Sequence, residues 1–179
     1  SIRKELAVIL GDYRNQYAER TLIKLTHDRN YIVQVEALDS LSLFSSKDAC
    51  DALSLSFKSR HPMVRGYAYL GFAWVCYDMK DENAINCLNT IRERNSWANV
   101  NLHIAKLLSG DLESIDKLKK AYPKYGYLNR IRTLNGFDEI IDCIPDEGKK
   151  RIIDLLESLD ASNMDLAERE AYERIVADI

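Results

Sequence analysis

The sequence predicts an all-α protein of stacked helix pairs, folded as a single domain over residues 1–179. Apolar residues recur every three or four positions along most of the chain, which is the pattern of helices that bury one face. With only 3 prolines and 7 glycines, long helices are permitted and a turn-rich β architecture is disfavoured. A helix-pair pattern also repeats, and 46% hydrophobic content is enough to fill one sizeable core.

The first half of the chain is predicted to form five helices separated by short polar turns. These helices span residues 2–10, 13–26, 31–44, 47–58 and 63–79. Gly11 and Asp12 are expected to end the first helix, with Asp12 capping the second. Asp28 or Asn30 is placed to cap the third helix, and Ser46 to cap the fourth. Each helix boundary therefore has a residue type that suits it.

The helix predicted at 63–79 is the segment around which the others are organised. Pro62 suits the first turn of a helix, where its missing N–H would have had no partner. One face carries Val64, Ala68, Phe72, Val75 and Met79. The opposite face carries Gly66, Leu70, Ala73 and Tyr77. Arg65 is the only charged residue between Met63 and Tyr77, and a helix that is apolar all round is either buried or presents a binding surface.

The second half brings the predicted total to about eleven helices. Its helices span residues 81–94, 98–108, 111–121, 125–135, 145–159 and 164–176, and residues 137–144 form a short apolar turn or helix. Gly136 is expected to end the segment that begins at Tyr125. The last helix is acidic with a sparse apolar face, so it is expected to form a polar cap at the C-terminal end of the stack.

An internal repeat links three of these helices. Val33-Gln34-x-x-Ala37-x-x-x-Leu41 recurs 31 positions later as Val64-Arg65-x-x-Ala68-x-x-x-Phe72. A weaker copy, Val100-Asn101-x-x-Ile104-x-x-x-Leu108, follows another 36 positions on. Each copy comes after a short polar turn and precedes a second helix, and this two-helix period is typical of an α-solenoid.

Over residues 13–122 these units resemble HEAT repeats, whose second helix commonly opens with Val-Arg followed by Ala and Leu at helical spacing. The resemblance implies a right-handed α–α superhelix of HEAT-like helix pairs. In that family the Val-Arg helix lines the concave face, and its arginine joins a polar ladder between repeats. Asp28 suits such a ladder, although Gln34 and Asn101 replace the arginine in two of the three copies.

No residue pattern in the sequence indicates catalysis. His27, His61 and His103 have no cysteine or carboxylate at metal-ligand spacing, and there is no glycine-rich phosphate loop or nucleophile elbow. The 4 cysteines form no C-x-x-C motif, so they are expected to be packed free thiols in a reducing cytoplasm. We therefore expect a cytoplasmic protein that is not an enzyme and has no catalytic residues, metal or cofactor.

The helices at 31–44, 63–79 and 98–108 are predicted to line a groove that binds another protein. A helical projection places one set of residues away from the core. The predicted contact residues are Asp39, Gly66, Tyr69, Leu70, Ala73, Tyr77, Leu102 and Lys106. Trp74 is expected to be a core residue on a flank of its helix. Tyrosine is common at binding hot spots because it buries a large area and keeps a polar group, so this set predicts a protein-binding patch.

Two alternatives for function stay open. With a net charge of −3, the chain would suit an immunity protein that covers the active surface of a basic, nuclease-type bacterial toxin. HEAT-like folds also include DNA glycosylases that remove alkylated bases. That alternative is fitted in part by Trp74, Trp97 and a basic cluster of Arg130 and Arg132 with Lys117, Lys119, Lys120 and Lys124. The acidic balance disfavours nucleic acid as a partner, and we expect a monomer that does not associate with membranes.

Overall fold

The computed structural model of the protein describes residues 1–159 and 164–177. Within these residues the chain forms eleven α-helices and three single-turn 3₁₀ segments, without a β-strand, which confirms the predicted all-α class. The helices are α1 (Ile2–Tyr13), α2 (Gln16–Leu25), α3 (Tyr31–Leu41), α4 (Lys47–Leu55), α5 (Pro62–Met79), α6 (Ala84–Asn89), α7 (Ser96–Leu108), α8 (Glu113–Ala121), α9 (Tyr127–Ile140), α10 (Asp146–Glu157) and α11 (Leu166–Ala177).

The helices are arranged in two rows. The odd-numbered helices form the first row, in which α1 contacts α3, α3 contacts α5, and so on to α11. In the second row α2, α4, α6 and α8 pack against first-row helices, and α10 packs on α8. One cluster of buried apolar side chains extends from Ala7 in α1 to Ile175 in α11. The predicted turn at 161–163 lies outside the described residues.

Helix starts follow the local sequence. Asn30 accepts a hydrogen bond from the backbone N–H of Ile32 at 3.0 Å, and Ser46 accepts one from Ala49 at 3.0 Å. Both predicted caps are therefore confirmed, because each satisfies a backbone donor that has no partner inside the helix. The predicted cap at Asp12 is wrong: α1 continues to Tyr13, and Asn15 caps α2 by accepting from two backbone amides.

Two glycines predicted to end helices instead lie inside them. Gly11 is buried in α1, and a Cβ at this position would lie 3.0 Å from the Ser40 hydroxyl oxygen on α3. Gly136 lies within α9, where a Cβ would be 2.7 Å from Ile104 of α7. Both predictions are wrong for one reason: the absent side chain allows two first-row helices to approach closely, which outweighs the low helix propensity of glycine.

The second residue of the repeated motif, Gln34 in α3 and Arg65 in α5, contacts the turn before its own helix. Gln34 donates to the backbone carbonyl of Asp28 at 2.5 Å, and Arg65 donates to the carbonyl of Ser59 at 2.9 Å, in each case six positions upstream. The Asp28 carboxylate accepts a hydrogen bond of 2.6 Å from Arg3 of α1. Asp28 therefore connects α1 to the turn before α3, and Gln34 makes the same kind of backbone contact as Arg65 at the equivalent position of the repeat.

The predicted helix at 81–94 is shortened to α6, because the segment after it makes polar contacts with α5. Glu93 accepts hydrogen bonds from Arg65 Nε at 2.6 Å and from the Tyr69 hydroxyl at 3.0 Å. Burial by itself would raise the pKa of Glu93, but hydrogen bonds from Arg65, the Asn95 amide and Tyr69 outweigh it and lower the pKa to about 2. Glu93 thus ties the turn before α7 to α5.

Replacing Glu93 with glutamine is expected to lower the free energy of unfolding at pH 7 by about 1–3 kcal/mol, because charge-assisted hydrogen bonds become neutral ones. The folded-state pKa lies below the ordinary value of 4.5, so this stabilisation is complete above pH 4.5 and is lost as the pH falls towards 2. Urea denaturation at pH 7 and pH 3 tests this. A Glu93→Gln variant that loses as much stability as the wild type between these pH values would contradict it.

Candidate functional site

A groove of about 430 Å³ opens on the first row of helices. It is lined by Asp39, Ser42, Tyr67, Leu70, Gly71, Trp74, Trp97, Asn101, Arg132 and Glu139. These residues come from α3 and the residue after it, α5, α7 and α9, and none comes from the second row. We call this cavity the aromatic groove.

The walls of the aromatic groove are three aromatic side chains. Tyr67 and Trp74 extend from α5, and Trp97 lies in the first turn of α7. The rings of Tyr67 and Trp97 have centroids 5.8 Å apart and are inclined by 32°. Trp97 lies against α5 at Gly66, where a Cβ would be 2.4 Å from its ring. Both tryptophans of the chain therefore line one cavity, and Gly66 allows one of them to lie there.

A chain of hydrogen bonds forms the polar side of the groove. Asn101 is only 2% exposed; it donates to the Trp97 carbonyl at 2.9 Å and accepts from Arg132 Nε at 2.8 Å. The two terminal nitrogens of Arg132 donate to the two carboxylate oxygens of Glu139 at 2.7 and 2.9 Å. All three guanidinium nitrogens of Arg132 thus have acceptors within the protein, and its charge is balanced by Glu139.

Asp39 has a different environment from Glu139. Its carboxylate accepts no hydrogen bond from the described residues. Asp39 is exposed, but the groove walls desolvate its carboxyl group in part and raise its pKa; the negative charges of Glu36 and Glu139 raise it further, and the positive charge of Arg132 lowers it. Burial, followed by the charge of Asp39, likewise raises the pKa of the Tyr67 hydroxyl. The groove therefore has a negative potential centred on an unpaired carboxylate.

The structure places the eight predicted contact residues in different surroundings. Asp39 and Leu70 line the groove, and Tyr77 is 43% exposed, with its ring edge-on to Trp74 at a centroid distance of 5.9 Å. The other five are buried in helix packing: Gly66, Tyr69, Ala73, Leu102 and Lys106. These five are not available to a partner, so their assignment to the contact surface is corrected.

The physical reason is the rotation of the helices about their axes. On α7 the groove residues are Trp97 and Asn101, one position before the predicted Leu102, and one position corresponds to about 100° of rotation. Lys106, on the same face as Leu102, lies near Lys117 of α8 instead. On α5 the groove residues are Tyr67, Leu70, Gly71 and Trp74, so Trp74 lines the groove as well as packing against the core.

The prediction did not assign Tyr67, Trp74 or Arg132 to the groove, although two patterns in the sequence point to them. Tyr67 and Trp74 stand three before and four after Leu70, which is the spacing of one helix face. Arg132 belongs to an unrecognised copy of the repeat: Ile131-Arg132 stands 31 positions after Val100-Asn101. Ile2-Arg3 likewise stands 31 positions before Val33-Gln34. These two signals would have placed α1 and α9 in the repeat.

Outside the groove, the described residues include no group of three or more His, Cys, Asp or Glu side chains arranged to hold a metal ion. His61 stacks on Tyr31 at a centroid distance of 3.7 Å, and the His103 ring nitrogen is 3.1 Å from the Ser114 hydroxyl. The cysteines are free thiols, and the sulfur atoms of Cys50 and Cys76 are 3.7 Å apart. Among the helices of the described ranges, none is long and apolar enough to cross a membrane.

The fold and the groove together define an all-α protein of packed helices with an open, aromatic-lined cavity. No protein-family model matches the sequence, and no curated protein is significantly similar to it. An engineered protein of known crystal structure, a Northeast Structural Genomics Consortium target, has a TM-score of 0.43 and 18% sequence identity. That alignment covers 98% of this chain and 89% of the engineered chain. A likeness at this level supports no conclusion about fold or function.

Proposed function

We propose that the protein is a non-enzymatic protein-binding module built of HEAT-like helix pairs in a right-handed superhelix, and that its partner binds in the aromatic groove. One observation carries this proposal: the groove presents Tyr67, Trp74 and Trp97 together at an opening between first-row helices. Buried aromatic anchors surrounded by polar residues are the usual anatomy of a protein-binding hot spot. A partner side chain that entered the groove would be desolvated on several sides.

Exposed apolar side chains next to the groove extend the surface beyond the size of a small molecule. Trp97 also borders a second, shallower depression, formed with Met63, Tyr127 and Leu128. Met63 is 37% exposed, Tyr127 48% and Leu128 71%. A contiguous apolar surface of this kind typically marks a protein interaction site. We therefore favour a partner that inserts a side chain in the groove and covers the neighbouring depression.

A narrower version of the proposal is an immunity protein that neutralises a bacterial, nuclease-type toxin. The negative potential around Asp39 favours it, because the active surface of a nuclease is basic. This version predicts that the gene lies beside a toxin gene and that the two proteins bind at nanomolar strength. A neighbourhood without a toxin-like reading frame would contradict it.

The glycosylase alternative fits the groove less well. Trp74, Trp97 and Asp39 provide the aromatic rings and the acid that such a site uses, but the one cation in the lining, Arg132, is paired with Glu139. Of the other residues in the basic cluster, Lys117, Lys119 and Lys120 lie on second-row helix α8, and Arg130 of α9 pairs with Glu168. A protein that holds DNA needs unpaired cations along its groove. Titration of a labelled DNA duplex at low salt tests this alternative, and we expect no saturable binding.

The experiment that tests the proposed function is quantitative affinity capture from a lysate of the native host. Wild-type protein is compared with the Leu70→Asn/Tyr77→Asn variant, and with Leu55→Asn as a control because Leu55 is 64% exposed on α4. A true partner is depleted by the groove variant and retained by the control, and it then binds the purified wild type in a calorimetric titration. A captured protein that binds all three forms equally would place the interface elsewhere.

A further inference from the structure

We propose that the aromatic groove is the receptor for an arginine side chain of the partner, whose guanidinium group stacks on the aromatic walls and pairs with Asp39. This inference rests on the proposed protein-binding function and specifies the chemistry of the partner at the centre of the contact. It follows from three features of the groove: its charge, its aromatic rings and its lack of an uncompensated cation.

The charge of the lining selects a cation. It contains two carboxylates, Asp39 and Glu139, and one cation, Arg132. Arg132 and Glu139 form a bidentate pair, so they neutralise each other within the protein. Asp39 remains without a hydrogen bond or ion pair among the described residues. The lining therefore carries one negative charge without a partner at the mouth of the groove, and a cation placed beside Asp39 can form a charge-assisted hydrogen bond with it.

The aromatic rings favour a guanidinium over an ammonium group. A cation within about 6 Å of a ring centroid is attracted by the face of the ring, most strongly by tryptophan. The groove offers Trp74, Trp97 and Tyr67 around one cavity that also contains the Asp39 carboxylate. Guanidinium is planar and weakly hydrated, so it can stack on a ring and donate two parallel hydrogen bonds to a carboxylate at once. A lysine ammonium is a compact, strongly hydrated charge that does neither as well.

The same groove has no uncompensated cation for an anion. Each nitrogen of Arg132 already donates to Asn101 or Glu139, and Glu139 balances its charge, so a phosphate or a carboxylate would meet no net positive charge. The cavity volume of about 430 Å³ lies within the range of about 300–1,000 Å³ that encloses a small group on most sides. A single arginine side chain with part of its main chain is therefore a suitable occupant.

The test uses Nα-acetyl-arginine methylamide as the probe, with the uncharged citrulline analogue as its matched control. Both tryptophans of the chain line the groove, so tryptophan fluorescence reports on this site without a label. We expect saturable binding of the arginine amide that weakens with added salt, and binding of the citrulline amide that is weaker by about tenfold or more. Equal binding of the two amides, or equal binding of the lysine amide, would overturn the inference.

Two variants assign the effect to Asp39. Asp39→Asn should weaken binding of the arginine amide by about tenfold, the factor that corresponds to 1.4 kcal/mol, and leave the weak binding of the citrulline amide unchanged. Asp51→Asn is the matched control, because Asp51 is exposed on α4, which does not line the groove. An arginine affinity that is the same in Asp39→Asn and the wild type would exclude Asp39 as the anchor and overturn the assignment.

Failure of this inference can be told apart from failure of the proposed function. Once a partner has been captured, Asp39→Asn is compared with the neutral groove variant Leu70→Asn/Tyr77→Asn. If the partner loses affinity only for the neutral variant, the groove binds a protein but not through an arginine at Asp39. If neither variant changes partner affinity, both the groove and the arginine inference are wrong. Loss of partner affinity with both variants supports the proposed function and the arginine inference together.

Discussion

Replacing Phe72 with alanine is expected to lower the free energy of unfolding by about 3–5 kcal/mol. Phe72 lies in the middle of α5 and is only 6% exposed. Its ring packs edge-on against Phe57, with centroids 5.2 Å apart, and Phe57 also contacts the ring of Tyr69 at 5.1 Å. Deletion of the ring leaves a cavity between α5 and the segment after α4, and packed helices close such a cavity only in part.

Met79→Ala provides the matched control on the same helix. Met79 belongs to the same apolar stripe as Phe72 in the sequence, but it is 42% exposed at the end of α5. We expect its replacement to cost less than about 1 kcal/mol. Urea denaturation followed by far-ultraviolet circular dichroism measures both variants. A loss below about 1 kcal/mol for Phe72→Ala would show that the rotation of α5 differs from the one described.

The double replacement Leu70→Asn/Tyr77→Asn is expected to weaken partner binding by about 2–4 kcal/mol, a factor of about 30–1,000 in Kd. Leu70 lines the aromatic groove, and Tyr77 stands exposed beside Trp74. Asparagine has nearly the shape of leucine, but its amide loses hydrogen bonds to water when a partner covers it. Neutral substitutions keep this test independent of the charge on the partner.

The fold is expected to survive this double replacement. Leu70 is partly exposed in the groove and Tyr77 is 43% exposed, so the main cost is the lower helix propensity of asparagine, about 1 kcal/mol in total. Thermal melting and partner titration are performed on the same sample. A variant that melts like the wild type and still binds the partner with unchanged affinity would exclude the groove as the contact surface.

Most of the helices, and the starts of α3 and α4, follow from short-range sequence. Asn30 and Ser46 cap the helices that the sequence assigned to them. On α5, Val64 and Val75 from the predicted core face are both at most 1% exposed. These predictions succeeded because caps and apolar stripes depend on residues within one or two turns of each other.

The groove depended on tertiary structure, because an apolar stripe orients a helix only when its other face is polar. The helix α5 is apolar all round, so its sequence leaves open which face packs against α7 and which faces the groove. The contact between Gly66 and Trp97 sets that choice in the folded protein. Arg132 and Glu139 form an ion pair within α9, and this pair lines the groove because α9 packs on α7. The sequence by itself determined an all-α chain and several of its helix starts, whereas tertiary packing decided which aromatic and charged side chains share one cavity.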